Sequence, residues 1–293
     1  MKLGFNTACF QELPFVEVVS FAVENGFACL EVNCPPESRA GNLHINVEKM
    51  DNGKADELKD YLYEKGIEIS CLSYYANPSF DASERNMFTA HLEKLIEAAN
   101  ALGIKNVSTY TGFAPGKSIN ENLEIFAATF KPLLDFASQR SVNILLENSP
   151  LTAPDRYAGN FAYSPELWDA VFTILPDKNL GLNYDPSHLF WLGIDYMLFL
   201  QVFADRIFHV QAKDSEILVE RLRMTGIMGS DWFRYRMCGS GSIDWKKFVP
   251  ALHEAGYDGV LSVEHEDPLW AGNSEKVKRG LLLAKKSLDV FII

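Results

Sequence analysis

The sequence predicts a single (β/α)8 TIM barrel over residues 1–293, with long loops at the C-terminal face of the barrel. Short apolar β-type runs alternate with longer helix-type segments from one end to the other, glycines stop the helices at regular places, and no Pro- or Ser-rich linker divides the chain. Strand candidates occupy 2–6, 28–33, 67–73, 105–110, 142–147, 179–184, 206–212 and 259–264. Helical patterns lie near 14–25, 55–65, 84–101, 121–139, 165–174, 195–204 and 244–255, with a last one at 274–288. Met87, Leu92, Leu95, Ile96 and Ala99 illustrate the helical spacing. Gly26, Gly66, Gly103 and Gly256 each follow a helical segment, where a left-handed C-terminal cap favours glycine. Eight strand–helix units match a closed parallel barrel. The alternative is an open doubly wound sheet. Its dinucleotide-binding form needs a Gly-x-Gly-x-x-Gly turn after the first strand, and the chain there reads Asn6-Thr7-Ala8-Cys9-Phe10.

With 47% hydrophobic and 12% aromatic residues, the chain can bury a large core. A formal charge of −12 opposes steering toward nucleic acid or an anionic membrane, so neither is an expected partner. The five cysteines are odd in number and form no Cys-x-x-Cys pair, which reads as reduced thiols of a cytoplasmic protein. The start, Met1-Lys2-Leu3-Gly4-Phe5-Asn6, lacks the apolar core of a signal peptide. The greasiest stretch, Leu189 to Ala204, is interrupted by Gly193 and Asp195 and is too short for a membrane span. It reads as a buried helix or as one packed against another subunit, which leaves a homo-oligomer open.

Four of the β-runs carry a metal-binding side chain at or near their ends: Glu147, Asp185, Gln211 and Glu264. A carboxylate at one strand end is usually only a solvated or salt-bridged loop residue. Four donors at the same end of four consecutive barrel strands would converge on one point. Three carboxylates and one amide are hard ligands, suited to Mg²⁺ or Mn²⁺ and tolerated by Zn²⁺ or Co²⁺. His188, three residues beyond Asp185, is placed to bind a substrate hydroxyl or move a proton. His209, Gln211 and Lys213 share one strand face, so His209 is expected one layer below Gln211 as a supporting residue and Lys213 to reach the site or a surface ion pair. Arg236 precedes the Gly239-Ser240-Gly241 turn and is a candidate clamp for a substrate oxygen or phosphate. Tyr75, Asn77, Tyr110, Trp232 and Phe233 make a mixed pocket suited to a sugar or polyol. Two loops, Asn33 to about Ala55 and Lys213 to Ile243, are long enough to cover that face as lids.

At these residues the chain resembles the sugar-phosphate isomerase/epimerase family, the xylose-isomerase-like barrels. The likeness covers nearly the whole length and is carried by Ser73-Tyr74-Tyr75-Ala76-Asn77-Pro78, Asn183-Tyr184-Asp185-Pro186-Ser187-His188-Leu189 and His209-Val210-Gln211-Ala212-Lys213-Asp214. It closes with Gly239-Ser240-Gly241-Ser242-Ile243-Asp244-Trp245 and Val263-Glu264-His265-Glu266-Asp267-Pro268. The resemblance implies one divalent metal held by Glu147, Asp185, Gln211 and Glu264, with His188 and Arg236 at positions that contact substrate. The chain departs from the family in one ligand: many members carry histidine where Gln211 stands, which favours Mg²⁺ or Mn²⁺ over Zn²⁺ here. The apurinic endonuclease branch uses further histidines on other strands, and the third and fourth strand ends, Ser73-Tyr74-Tyr75 and Ser108-Thr109-Tyr110-Thr111, offer none.

The expected chemistry is isomerase chemistry: proton abstraction next to a metal-polarised carbonyl through an enediolate, with Glu147 and Glu264 as the acid/base pair. Reprotonation gives isomerisation or epimerisation of a small sugar or polyol, and loss of a β-hydroxyl gives dehydration of the inosose type. A barrel that binds sugar or metal without turnover and a two-carboxylate glycosidase are the rival readings.

Overall fold

The computed structural model describes residues 1–39, 43–79, 81–150 and 159–292; residues 40–42 of the first long loop therefore lie outside the described residues. The strands are β1 (Lys2–Asn6), β2 (Cys29–Asn33), β3 (Glu68–Ser73), β4 (Asn106–Thr109), β5 (Asn143–Glu147), β6 (Leu180–Tyr184), β7 (Ile207–Ala212), β8 (Asp214–Ile217), β9 (Phe233–Arg236) and β10 (Val260–Val263). Eight of them close a parallel barrel in the order β1-β10-β7-β6-β5-β4-β3-β2, and β8 pairs with β9 as a separate antiparallel ribbon. The helices are α1 (Phe15–Glu24), α2 (Asn52–Lys65), α3 (Ala82–Leu102), α4 (Ile119–Ser138), α5 (Pro165–Ile174), α6 (Pro186–Trp191), α7 (Val219–Thr225), α8 (Trp245–Glu254) and α9 (Ser274–Leu288). This is the (β/α)8 fold, not the doubly wound sheet.

Local chemistry explains the boundaries. Asp51, Asp81 and Asn273 each accept a backbone N–H in the first turn of α2, α3 and α9, and Ser118 with Glu121 forms a reciprocal capping box on α4. Gly66 and Gly103 sit at φ of +67° and +74° where α2 and α3 end, conformations that cost a side-chain-bearing residue about 1–2 kcal/mol. Phe5 on β1 packs edge-on against Phe10 and Phe27, and Trp168 of α5 packs against Tyr184 of β6, so aromatic rings fill the space between barrel and helices.

Two expectations are corrected. No helix forms over 195–204. A short helix, α6, begins instead directly after β6, because Asp185 caps it and Pro186 occupies its first position. Gly193 at φ +75° follows α6, and although Asp195 accepts the N–H groups of Met197 and Leu198 as an N-cap would, the chain beyond runs on as turns rather than as an α-helix. Leu198 and Val202 are left exposed rather than buried. The second long loop is likewise not irregular throughout, since it folds as the β8–β9 ribbon with α7 between its strands.

Asp214 is the hub that ties this ribbon to the barrel. Its buried carboxylate accepts the backbone N–H groups of Ser215, Gly239, Gly241 and Ile243 and the indole N–H of Trp245. A Cβ on Gly241 would overlap the same carboxylate, so only glycine lets the backbone approach this closely. Asp214→Ala is expected to cost at least about 3 kcal/mol in urea unfolding, because several buried donors lose a charged acceptor at once. A loss below about 1 kcal/mol would show that the donors find water instead.

Candidate metal centre and active site

The inward face of β7 sets out three layers. His209, Gln211 and Lys213 follow one another on that face from the barrel interior toward its C-terminal mouth, and each meets a different set of partners.

In the deepest layer, His209 Nδ1 donates to Asn183 Oδ1 at 2.9 Å, and Ser70 Oγ lies 3.1 Å from Nε2. Burial holds the ring neutral, with its pKa pushed down to about 3. The amide of Asn183 then donates to Ser108 Oγ. In the middle layer, Gln211 Nε2 donates to Glu31 Oε1 at 3.2 Å and to the Tyr75 hydroxyl at 3.3 Å. Ser262 Oγ donates to Glu31 Oε2 at 2.9 Å, and the Tyr75 hydroxyl lies 3.2 Å from Glu31 Oε1.

At the mouth, Lys213 Nζ lies 2.6 Å from Glu264 Oε2, 2.9 Å from Glu266 Oε2, 3.1 Å from Asp185 Oδ2 and 3.1 Å from His188 Nε2. It also sits 4.6 Å above the centre of the Tyr235 ring. Burial works against the Lys213 charge, but Asp185, Glu264 and Glu266 outweigh it and hold the ammonium well above its usual range. A lysine ammonium can only donate, so His188 Nε2 accepts, and the ring proton on Nδ1 points to the Tyr235 hydroxyl at 3.1 Å. His188 Nε2 also lies 3.4 Å from Glu147 Oε1 and 3.3 Å from Asp185 Oδ2. Burial, with the Lys213 charge, pushes His188 down to about 4.

Backbone hydrogen bonds aim the carboxylates. Asp185 uses Oδ1 to cap α6 through Ser187 N, which leaves Oδ2 facing the cluster. Asn148 clamps the main chain of Asp185 from both sides, accepting its N–H and donating to its carbonyl. Asn160 holds the Glu147 carbonyl and ties β5 to the end of β4 through Thr111. Burial raises the Glu147 carboxyl to about 7, opposed by Lys213. Burial likewise pushes Glu264 well above the usual carboxylate range, opposed by Lys213 and reinforced by Glu147 and Glu266.

Glu147 Oε2 and Gln211 Oε1 are buried without a hydrogen-bond partner, and Asp185 Oδ2 faces the Lys213 ammonium at 3.1 Å. Ligand atoms of Glu147, Asp185 and His188 fall within 4.8 Å of one another. The convergent oxygens of Glu147 and Asp185, with His188 alongside and the unpartnered Gln211 Oε1, fit a divalent cation, whereas Glu264 is paired with Lys213 and lies outside that converging group, so it would join the ion only by leaving the lysine. Such an ion displaces protons from Glu147 and Glu264, both held above the usual carboxylate range, so Mn²⁺ affinity rises with pH through neutrality. His188 is already neutral through this window and adds nothing to the slope. Calorimetric titrations at about pH 5.5 and about pH 8 check it, with tighter binding expected at the higher value. Equal affinities would place the ion elsewhere.

The remaining sequence candidates are placed differently. Arg236 does not join the cluster: its guanidinium pairs with Glu216 at 2.9 Å and Asp267 at 3.3 Å, and Arg234 shares Glu216. Between these arginines, Tyr235 faces the opposite way and reaches His188. The Tyr75 hydroxyl is engaged within the barrel, and its ring lies against Tyr110 at 4.6 Å. The Gly239-Ser240-Gly241 turn directs the N–H groups of Gly239 and Gly241 onto Asp214, so those donors are not free to cradle a phosphate. Glu31, Tyr235, Asn148 and Asn160 were not singled out from sequence. Glu31 had one available signal, a carboxylate in the middle of an otherwise apolar run, Cys29-Leu30-Glu31-Val32.

A closed (β/α)8 barrel with a convergent acidic cluster at the strand ends defines the class. Residues 19–287 match the family model of the xylose isomerase-like TIM barrel, and the chain belongs to that family. The inosose dehydratase of Geobacillus thermodenitrificans (strain NG80-2) is 26% identical over 231 residues, which cover 74% of this chain and 64% of that protein. Among solved structures, D-psicose 3-epimerase with D-tagatose from Clostridium cellulolyticum H10 superposes with a TM-score of 0.74 at 14% identity, covering 100% of this chain and 99% of that one. The IolI protein with a bound zinc atom gives a TM-score of 0.73 at 21% identity, covering 100% of this chain and 98% of that one. The family thus includes epimerases and dehydratases that are similar to this chain in fold. No helix among the described residues is long and apolar enough to cross a membrane.

Proposed function

We propose that this protein is a divalent-metal-dependent isomerase or epimerase of a small, unphosphorylated sugar or polyol. The observation that carries the reading is the pairing of Glu147 and Glu264, two buried carboxyls with raised proton affinity, around one cluster of cationic and metal-type donors. Asp185 and Gln211 hold the ion, and Glu147 and Glu264 both hold it and move protons. When bound, the ion supplies Lewis-acid polarisation of the substrate carbonyl.

The chain's own groups supply the rest. A carboxyl near pH 7 is matched to general acid/base work at neutral pH, so one glutamate takes the proton from the carbon beside the carbonyl. The same or the opposite glutamate returns it, giving isomerisation or epimerisation. Lys213, held charged, donates to the oxygen that gains negative charge, and His188, fixed by Tyr235, contacts a neighbouring hydroxyl. Engagement of Arg236 by Glu216 and Asp267, and of the glycine turn by Asp214, argues against a phosphorylated substrate. Inorganic phosphate and sugar phosphates are accordingly expected not to inhibit turnover. Inhibition by inorganic phosphate at low millimolar concentration would overturn that part.

Dehydration is the second reading, favoured by the similarity to an inosose dehydratase. It shares the first proton abstraction and then expels a β-hydroxyl as water. Product mass separates the two, because an isomerase leaves it unchanged. The test of the whole reading is chelation during turnover of a panel of ketoses, aldoses and inososes. Activity lost in EDTA and regained with Mn²⁺ supports it; activity that survives EDTA points to a hydrolase.

A further inference from the structure

We infer that Glu31 is a positioning residue for the metal site, fixing the amide of Gln211 so that its oxygen is the donor. This rests on the reading of Gln211 as a metal ligand.

A glutamine has two N–H donors and one oxygen acceptor on the same terminal carbon, and its environment decides which atom faces which neighbour. Here the amide nitrogen contacts Glu31 Oε1 and the Tyr75 hydroxyl, while Gln211 Oε1 is buried without a partner. The flipped amide would set its oxygen against a carboxylate oxygen and waste both N–H groups. That arrangement is repulsive in a buried site. Glu31 is itself fixed from β10 by Ser262, which donates to Oε2, and from the end of β3 by Tyr75. Three donors converge on this one carboxylate, and it is fully buried, so it has no role with solvent.

An imidazole fixes its own donor atom by rigidity, whereas an amide needs a neighbour to choose between oxygen and nitrogen. Glu31 makes that choice, and it does so from β2, across the barrel from Glu147 on β5 and Asp185 after β6.

The test is a double-mutant cycle read as Mn²⁺ affinity, by electron paramagnetic resonance of the free ion. Glu31→Gln, which keeps the side-chain volume, is expected to weaken Mn²⁺ binding about 10- to 100-fold, the usual effect of removing a group that orients a ligand. In a Gln211→Ala background the same change is expected to have no further effect. An unchanged affinity in Glu31→Gln overturns the inference. So does an equal loss in both backgrounds, which would make Glu31 act independently of Gln211. If Glu31→Gln does not fold, the cycle is run with Tyr75→Phe, which removes the second partner of the amide. A several-fold loss that vanishes without Gln211 supports the inference, and no loss overturns it. Wild-type protein that binds no Mn²⁺ would refute the metal-site reading itself, an outcome distinct from intact binding that ignores Glu31.

Discussion

Glu147→Gln and Glu264→Gln are each expected to slow the proposed sugar interconversion by roughly 10²- to 10⁴-fold at saturating Mn²⁺, the range that a positioned acid/base group contributes. Glutamine keeps an oxygen for the ion but cannot take a proton. The loss is therefore expected in the proton-transfer rate even where metal occupancy is restored by excess Mn²⁺. The two sites are not equivalent. Glu147 lies beside His188 and near Gln211 and Tyr75, whereas Glu264 is in direct contact with Lys213. If the substrate is deprotonated on one face and reprotonated on the other, each variant fails in one direction of proton movement. Normal solvent-proton exchange in either variant, with metal bound, removes that residue from the acid/base pair.

Lys213→Met is expected to destabilise the metal-free protein by about 3 kcal/mol in urea unfolding, because it strips the cation from the buried Asp185 and from Glu264 and Glu266 at the more open side of the cluster. Two features sharpen this expectation. Mn²⁺ supplies positive charge to Asp185 and Glu264, so saturating metal is expected to recover much of the loss. The loss is also expected to shrink at low pH. Glu264 has a raised pKa with Lys213 present, and removing that cation raises it further, so the folded variant relieves the repulsion by binding a proton. Equal stability of the variant and the parent, without metal at about pH 8, would show that water rather than Lys213 compensates these carboxylates.

The barrel was legible because its signals are local. Each β-run is short and apolar, and a left-handed glycine after α2 and α3 marks where the next strand starts. The strand-end donors were legible for a related reason: position at a strand end, not the residue type, points them into the mouth. Misreadings arose where composition does not decide the backbone. The apolar stretch 195–204 has the composition of a helix, and Asp195 meets the N–H groups of Met197 and Leu198 as an N-cap would, yet the chain forms successive turns there. The β8–β9 ribbon escaped notice because 15 residues separate its strands, and pairing across that gap follows from the Asp214 hub, not from a turn motif.

Glu31 was hidden by the same rule that exposed Glu264. It sits mid-strand, where a carboxylate is disfavoured, and only the assembled barrel brings Ser262, Tyr75 and Gln211 to satisfy it. Tyr235 was hidden by its neighbours. Arg234 and Arg236 attract attention as charges, yet both pair with Glu216 and leave the residue between them to face His188. Arg234 and Arg236 share one side of β9, and the direction of that side depends on how the ribbon folds back over the barrel.

The most direct measurement of the central claim is deuterium incorporation from D₂O into ketoses, aldoses and inososes, followed by mass spectrometry with Mn²⁺ present. Proton abstraction by the Glu147–Glu264 pair predicts incorporation at the carbon beside the carbonyl of at least one of these compounds. Incorporation should stop with EDTA and resume when Mn²⁺ is returned. Exchange that persists in EDTA, or its absence from every compound while Mn²⁺ is bound, would contradict the account.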